Sequence, residues 1–188
     1  MGYTGLLLCA CWIVDEIHRG EGHGKMTIEQ MRQSEAVEIA DRWKYDGEYA
    51  FYDMTADPED YREITTPALR DGRYYSVFSG GELTGFFCVE QEGADVEIGL
   101  GLRPDLTGQG RGGAFLAEIL DFVKTRYLFE KIRISVASFN SRAIRVYERA
   151  GFVKTGAEEV PTNGGVYHFT LMELRRCDEN QASDGARY

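Results

Sequence analysis

The sequence predicts an α/β fold with a mixed, mainly antiparallel central sheet that is flanked by helices. Alternating apolar segments in the middle of the chain are separated by glycine-containing turns, which is typical of antiparallel hairpins. Two segments with helical apolar spacing follow, one on each side of a short alternating strand. A final pair of strands is joined by a turn at Thr162-Asn163-Gly164-Gly165. Strands mixed with helices in this order favour a single sheet with helices on its faces.

In the first half of the chain, two helix starts are recognisable. Ser34 is a candidate N-cap, with Glu35 in the first turn. Asp57 followed by Pro58 is a second start signal, because an Asx cap before proline at the first helical position is common. The predicted elements are a strand over 26–31, a helix over 35–43, a helix from 58, and strands over 74–78, 83–90 and 96–102.

In the second half, glycines mark both a strand and a helix end. Gly99 and Gly101 interrupt the fourth strand, and such glycines mark a bulge or a close backbone approach. Gly151 is placed to end a helix as a left-handed cap. The predicted elements are a helix after residue 113, a strand over 131–136, a helix over 141–150, and strands from 152 and over 166–174.

The length of 188 residues suits one domain with a substantial core. Folding signals begin at Met26, so residues 26–174 are predicted to form the domain. Residues 1–25 are interpreted as an N-terminal extension that precedes the native start, and residues 175–188 as a polar tail.

Composition excludes several partners. The formal net charge of −10 disfavours a nucleic-acid partner. The apolar run 6–14 is far shorter than the roughly 20 residues of a membrane helix, so no membrane partner is expected. The four cysteines show no Cys-x-x-Cys spacing, which indicates a reducing, cytoplasmic location. Cys9, Cys11, His18 and His23 match no zinc spacing, so no metal is predicted.

The segment Gly108-Gln109-Gly110-Arg111-Gly112-Gly113 places four glycines between a strand and a helix. Backbone N–H groups without neighbouring Cβ atoms approach a ligand closely, and the helix N-terminus adds partial positive charge. Phosphate oxygens are the natural guests of such a turn. Arg111 adds a charge-assisted contact. A merely flexible turn is the open alternative.

Two other phosphate-binding patterns fit less well. Gly108, Gly110 and Gly113 match the dinucleotide fingerprint literally, but residues 103–107 separate them from the strand. The acidic residue expected at the end of the next strand is absent, since residues 136–138 are Val, Ala and Ser. A P-loop is excluded because no Lys-Ser or Lys-Thr follows the last glycine. A dinucleotide oxidoreductase is therefore disfavoured.

Two motifs resemble the GNAT superfamily of N-acetyltransferases. That family's phosphate loop runs Arg/Gln-x-x-Gly-x-Gly/Ala after a strand. Here Leu102-Arg103-Pro104 is followed by Thr107-Gly108-Gln109-Gly110-Arg111-Gly112, with Thr107 in place of Arg or Gln. Downstream, the family pattern of Asn-x-x-Ala, Tyr and Gly-Phe is matched by Asn140, Ala143, Tyr147 and Gly151-Phe152. With the element order, the resemblance covers roughly residues 26–174.

The resemblance implies that acyl-CoA lies between the fourth and fifth strands, with pantetheine paired to the fourth. The N–H of Leu102 would polarise the thioester carbonyl. Asn140 would hydrogen-bond pantetheine, and it is also a candidate cap for the helix that starts at Ser141. The implied cofactor-binding residues are Leu100, Gly101, Leu102, Thr107, Gly108, Gln109, Gly110, Arg111, Gly112, Gly113 and Asn140.

The implied activity is transfer of an acetyl group from acetyl-CoA to a primary amine, by direct attack in a ternary complex. Tyr147 occupies the general-acid position of the family, and core packing is its alternative role. Glu97 lies where some members carry a base that acts through water; a solvated strand carboxylate is the alternative. A binding module that senses acyl-CoA without turnover is the rival to an enzyme.

The acceptor is expected to be a cationic amine, either a small molecule or a protein amine. Residues 43–63 combine seven carboxylates with six aromatic side chains, and aromatic faces beside acids suit a cation. Tyr49, Tyr52 and Asp53 are the predicted substrate-binding residues. The alternative is that the aromatic side chains pack in the core and the carboxylates face water. The sequence leaves both a monomer and a homodimer open.

Overall fold

The computed structural model describes residues 26–176, which form one sheet with helices on both faces. The strands are β1 (Met26–Gln30), β2 (Tyr74–Ser79), β3 (Glu82–Glu92), β4 (Asp95–Leu102), β5 (Lys131–Ala137), β6 (Val153–Thr162) and β7 (Gly165–Arg175). The helices are α1 (Gln33–Arg42), α2 (Pro58–Thr65), α3 (Pro67–Arg70), α4 (Gly112–Arg126) and α5 (Ser141–Arg149). Short 3-10 helices cover Gly47–Tyr52, Met54–Ala56 and Pro104–Leu106.

The seven strands lie in the order β1-β2-β3-β4-β5-β7-β6. Every neighbouring pair is antiparallel except β4 and β5, which are parallel because α4 carries the chain back across the sheet. The predicted mixed, mainly antiparallel sheet is therefore confirmed.

The sheet buries an apolar cluster on each face. Val96 and Ile98 of β4 lie in the first cluster with α4 and α5 residues, such as Phe115 and Tyr147. Phe86 of β3 lies in the second cluster with residues from α1 and α2. Because side chains alternate along a strand, Glu97, Gly99 and Gly101 face the α1–α2 side. The glycine-rich segment 108–113 follows the C-terminal end of β4, and Tyr45 of the α1–α2 connection contacts Leu102 at the same end.

The parallel pair β4 and β5 separates partway along its length. Asp95, Val96 and Glu97 pair with Lys131, Ile132 and Arg133, and no further pair joins the two strands among the described residues. On its other edge, β5 stays paired with β7 as far as Ala137 and Phe169. A space therefore opens between residues 98–102 and 134–137, called the strand gap below.

The first helix begins earlier than predicted. Arg32, not Ser34, is its N-cap, and the Arg32 N–H donates to Glu35 Oε2 at 2.8 Å. Glu35 is thus part of a capping box, so the helix starts at Gln33 and Ser34 lies inside it. The start at Asp57 is confirmed, since its Oδ1 accepts from the Glu59 N–H at 2.8 Å.

The fourth strand carries no bulge against β3, because its register runs without a shift from Asp95 to Leu102. Its glycines serve close packing instead. A Cβ at Gly101 would lie 2.3 Å from Cε1 of Phe86, and a Cβ at Gly99 would lie 3.0 Å from Sγ of Cys88. Of the two interpretations that the sequence allowed, the close approach is correct.

Three regions differ from or exceed the sequence prediction. The 3-10 turns between α1 and α2, and the short α3, were not predicted, since each is too short for apolar periodicity. Strand β7 extends to Arg175, one residue beyond the predicted domain end. The extension over 1–25 and residues 177–188 lie outside the described residues. Within the described chain, no helix has the length and apolar character needed to cross a bilayer.

Candidate active site

The glycine loop, residues 108–113, links the 3-10 turn after β4 to the start of α4. Gly108 and Gly110 adopt φ values of +73° and +76°, a left-handed conformation that side-chain-bearing residues rarely take. Thr107 Oγ1 donates to the Pro104 carbonyl at 2.8 Å, which fixes the entry into the loop. Thr107 therefore supports the backbone where the family pattern has Arg or Gln.

The backbone N–H groups of residues 108–114 donate to no carbonyl of the described backbone. The first backbone bond of the helix runs from Phe115 N to Arg111 O at 3.1 Å. Helix α4 is 15 residues long, so its N-terminus adds partial positive charge to these amides. An array of unpaired donors at a helix N-terminus is suited to a diphosphate.

Leu102 presents both of its backbone polar groups to the strand gap. The Arg103 N–H donates to Thr84 O on β3 at 2.9 Å, and a trans peptide points the Leu102 carbonyl the opposite way. The Gly101 carbonyl lies toward Gly85 of β3, so by the same rule the Leu102 N–H points into the gap. The Leu102 carbonyl accepts from the Tyr45 hydroxyl at 2.9 Å. The N–H that the resemblance assigns to a thioester carbonyl thus faces the gap.

Asn140 is held by its own helix. Its Oδ1 accepts from the Ala143 N–H at 3.1 Å, which caps α5 as predicted. Because this bond fixes the orientation of the amide, Nδ2 must be the donor to the Tyr52 hydroxyl, at 3.1 Å. Burial raises the pKa of Tyr52, while donated bonds from Asn140 and the Ala137 N–H act against that rise.

Tyr147 lies on the buried face of α5 and is 8% exposed. Its ring packs against Phe152, with centroids 5.9 Å apart. Burial raises the pKa of Tyr147, and the nearby Tyr52 phenol adds to that rise. The hydroxyl therefore stays protonated at neutral pH and is available as a donor.

Glu97 occupies the last position at which β4 pairs with β5, where the strand gap begins. Its carboxylate lies 3.7 Å from Arg133 Nη2 and its side chain is 46% exposed. Glu97 faces the α1–α2 side of the sheet, as does the acceptor region described next. Solvent therefore reaches this carboxylate at the mouth of the gap.

The region predicted to bind the acceptor, residues 43–63, contacts the last hairpin, formed by β6 and β7. Asp57 Oδ2 accepts from Thr162 Oγ1 at 2.7 Å, and Asn163 Nδ2 donates to the Phe51 carbonyl at 2.8 Å. These bonds join segments more than 100 residues apart in sequence. The ring of Phe51 contacts four others, from Tyr52, Phe139, Tyr167 and Phe169.

Several residues that were predicted to bind the amine substrate already have partners within the chain. Arg142 lies over the ring of Tyr49, 3.7 Å from its centroid, and so covers one face. Asp53 Oδ1 accepts from the Tyr45 N–H at 2.9 Å. Asp60 differs: partial desolvation, and then the carboxylates around it, Asp57 first, raise its pKa. A cation bound near Asp60 would relieve that repulsion.

Sequence reasoning did not assign a role to Tyr45 or Arg142. Tyr45 lies 57 positions from the Leu102 carbonyl that it contacts, so no local motif could reveal the pairing. Arg142 Nη1 would lie 3.6 Å from a Cβ at Gly108, which places a guanidinium beside the glycine loop. Its position two residues after the Asn140 cap was the available signal. Among residues 26–176, no group of His, Cys, Asp or Glu is arranged to hold a metal ion.

A parting parallel strand pair, followed by unpaired amides at a helix N-terminus, is an arrangement suited to an extended ligand that carries phosphate groups. The sequence profile of the acetyltransferase (GNAT) family matches residues 37–152, and the chain belongs to that family. The resemblance seen in the two motifs is thereby confirmed.

A mycothiol acetyltransferase of Clavibacter michiganensis is 37% identical over 73 residues, which are 38% of this chain. The match spans only 24% of that relative's length. An aminoglycoside acetyltransferase in complex with coenzyme A has a similar fold, with a TM-score of 0.63 at 20% identity, over 81% of this chain and 95% of its own. Spermidine N-acetyltransferase from Vibrio cholerae, in complex with CoA and spermine, also gives a TM-score of 0.63 at 20% identity, over 80% and 95%.

Proposed function

We propose that this protein transfers an acetyl group from acetyl-CoA to a primary amine, by direct attack within a ternary complex. The observation that carries the proposal is the strand gap, with the Leu102 N–H facing it and the unpaired amides of residues 108–114 directly after it. Membership of the acetyltransferase (GNAT) family supports the same reaction.

In this proposal the coenzyme extends along the open edge of β4. Pantetheine pairs with Leu100 to Leu102, whose edge is free of β5 at this point. The diphosphate accepts hydrogen bonds from the amides of the glycine loop, residues 108–113, with Arg111 and Arg142 as nearby cations. Asn140, held as a cap, offers its second Nδ2 hydrogen to the pantetheine arm.

The chemistry forms a carbon–nitrogen bond and breaks a carbon–sulfur bond. The neutral amine attacks the thioester carbonyl, whose oxygen gains negative charge and accepts from the Leu102 N–H. Tyr147 donates its proton to the leaving thiolate and regains one from solvent. Glu97 accepts the amine proton through water at the mouth of the gap. The products are the acetylated amine and free coenzyme A.

A cationic amine is the proposed acceptor. Burial raises the pKa of Asp60 most, and the neighbouring carboxylates, Asp57 first, add to that rise, so negative charge is concentrated at the start of α2. Tyr52 and Asp53 flank this region, and Arg142 covers only one face of the Tyr49 ring. The two solved relatives are named for aminoglycoside and spermidine acceptors, which are amines.

Release of free thiol from acetyl-CoA, measured with a panel of amines, tests the proposal. We expect amine-dependent release and a mass increase of one acetyl group on the acceptor, with cationic amines preferred over anionic ones. Tight acetyl-CoA binding without thiol release for any amine would instead support an acyl-CoA sensor. A preference for anionic acceptors would contradict the proposed acceptor class.

A further inference from the structure

A narrow crevice between α1 and the strand gap is lined by Tyr45, whose hydroxyl reaches the Leu102 carbonyl. Its non-atom space of about 160 Å³ includes open solvent, and its interior is too narrow to hold a water molecule. Its lining residues are Ile39, Trp43, Tyr45, Tyr52, Met54 and Phe86. Because the Leu102 N–H faces the gap beside this crevice, an acyl group bound there would point toward these side chains.

The far wall of the crevice belongs to the second core. Ile39, Trp43 and Phe86 are 1%, 4% and 6% exposed, and the Trp43 and Phe86 rings pack with centroids 6.0 Å apart. Gly101 lies directly against the Phe86 ring, so that ring has no free space on the strand side. Close-packed cores resist added volume, and this wall should therefore not yield to a longer acyl chain.

Tyr45 forms the wall nearest to Leu102 and is fixed at both ends. Its backbone N–H donates to Asp53 Oδ1, and its hydroxyl donates to the Leu102 carbonyl, both at 2.9 Å. Burial, and then the Asp53 carboxylate, raise the pKa of Tyr45, so the phenol remains a neutral donor at physiological pH. The ring therefore stays beside the one backbone donor that faces a bound thioester.

We propose that Tyr45 is a specificity-determining residue that restricts the acyl donor to acetyl-CoA. A thioester whose oxygen accepts from the Leu102 N–H holds its acyl carbon next to the Tyr45 ring. A methyl group stays in the strand gap beside the Tyr45 ring, whereas each further carbon must enter space held by that ring. The hydroxyl also occupies the Leu102 carbonyl, which leaves the N–H as the free polar group of that residue in the gap. This inference rests on the proposed function.

Comparison of kcat/KM for acetyl-, propionyl- and butyryl-CoA tests the role of Tyr45 in acyl-donor specificity. Each misplaced methylene commonly changes kcat/KM by about 10- to 200-fold, so we expect the wild type to prefer acetyl- over butyryl-CoA by at least about 100-fold. Tyr45→Ala should lower this ratio at least about tenfold, because it removes the ring. Tyr45→Phe keeps the ring and loses only the hydroxyl, and its ratio should stay near that of the wild type. Tyr45→Leu replaces the alanine variant if the latter does not fold.

Tyr61→Ala is the matched control, since Tyr61 also packs against the second core but does not line the crevice. Its donor ratio should equal that of the wild type. Two results overturn the acyl-size inference while the proposed function stands. One is equal use of acetyl- and butyryl-CoA by the wild type, and the other is an unchanged donor ratio in Tyr45→Ala and Tyr45→Leu. Calorimetry with unacylated CoA distinguishes failure of this inference from failure of the proposed function. If the wild type does not bind CoA, the proposed function and this inference are both overturned.

Discussion

Replacing Gly101 by alanine tests the close packing on which the geometry of the gap depends. The added Cβ would lie 2.3 Å from Cε1 and 2.9 Å from Cζ of Phe86. Real Cβ atoms do not approach carbon so closely, so either the ring or the strand must move. Phe86 is 6% exposed and packs on Trp43, which leaves the ring little room to retreat.

The expected loss follows from two opposing effects. Overpacking a close-packed core costs about 1–3 kcal/mol. Replacement of glycine by alanine within a strand returns about 0.5–1 kcal/mol, because the unfolded chain loses less freedom on folding. We therefore expect the free energy of unfolding to fall by about 1–2 kcal/mol. Because β4 carries the Leu102 N–H, the displaced strand should also bind acetyl-CoA more weakly.

Urea denaturation of the wild type and the variant measures the change, with Gly156→Ala as the control. Gly156 also lies in a strand, and a Cβ there would meet only Leu171 Cδ1, at an ordinary 3.7 Å. The control should change the free energy of unfolding by less than about 1 kcal/mol, in the stabilising direction. Equal stability of Gly101→Ala and the wild type would refute the reasoning about Phe86.

Three further predictions concern single side chains. Tyr147→Phe should lower kcat by about 10- to 1000-fold, with acetyl-CoA affinity within about threefold of the wild type by calorimetry; unchanged turnover would remove Tyr147 from the mechanism. Burial raises the pKa of the Cys88 thiol to about 11. Alkylation of Cys88 at pH 8, followed by peptide mass spectrometry, should therefore be about 100-fold slower in the folded than in the unfolded protein. Equal alkylation rates in the two states would contradict this expectation. The hydrogen bond from Thr162 lowers the pKa of Asp57 in the folded protein. The ionised Asp57 carboxylate therefore stabilises the fold fully above the pKa of the unfolded chain, near 3.9, and this stabilisation is lost as the pH falls through the lower folded pKa. The melting temperatures of the wild type and Asp57→Ala should therefore approach each other as the pH falls from about 4 through the folded pKa of Asp57. A constant difference would show that the charge of Asp57 does not contribute to stability.

Much of the fold follows from local signals. The cap at Asn140, the start at Asp57-Pro58 and the left-handed Gly151 at φ +93° depend on residues close in sequence, and all three occur as predicted. The start of α1 lies two residues before the predicted one, because Ser34 has the residue type of an N-cap but the capping box with Glu35 forms at Arg32.

The rest depends on contacts that sequence spacing cannot show. Whether Gly101 marks a bulge or a close approach is decided by Phe86 on the neighbouring strand. The 3-10 turns over 47–56 carry no apolar periodicity, and they bring Tyr45 and Tyr52 to the gap through contacts with Leu102 and Asn140. The motifs therefore predicted the glycine loop and the helix after it, while the contacts of Tyr45 and Tyr52 became visible only in three dimensions.

The central claim is that the amides of the glycine loop bind a diphosphate, and titration calorimetry tests it most directly. Coenzyme A and pantetheine share the arm that would lie along β4, but pantetheine lacks the diphosphate. We predict saturable binding of coenzyme A and binding of pantetheine that is weaker by at least about 100-fold, equivalent to about 2.7 kcal/mol. Equal affinity for the two, or no heat of binding with coenzyme A, would contradict the assignment of residues 108–113 to the diphosphate.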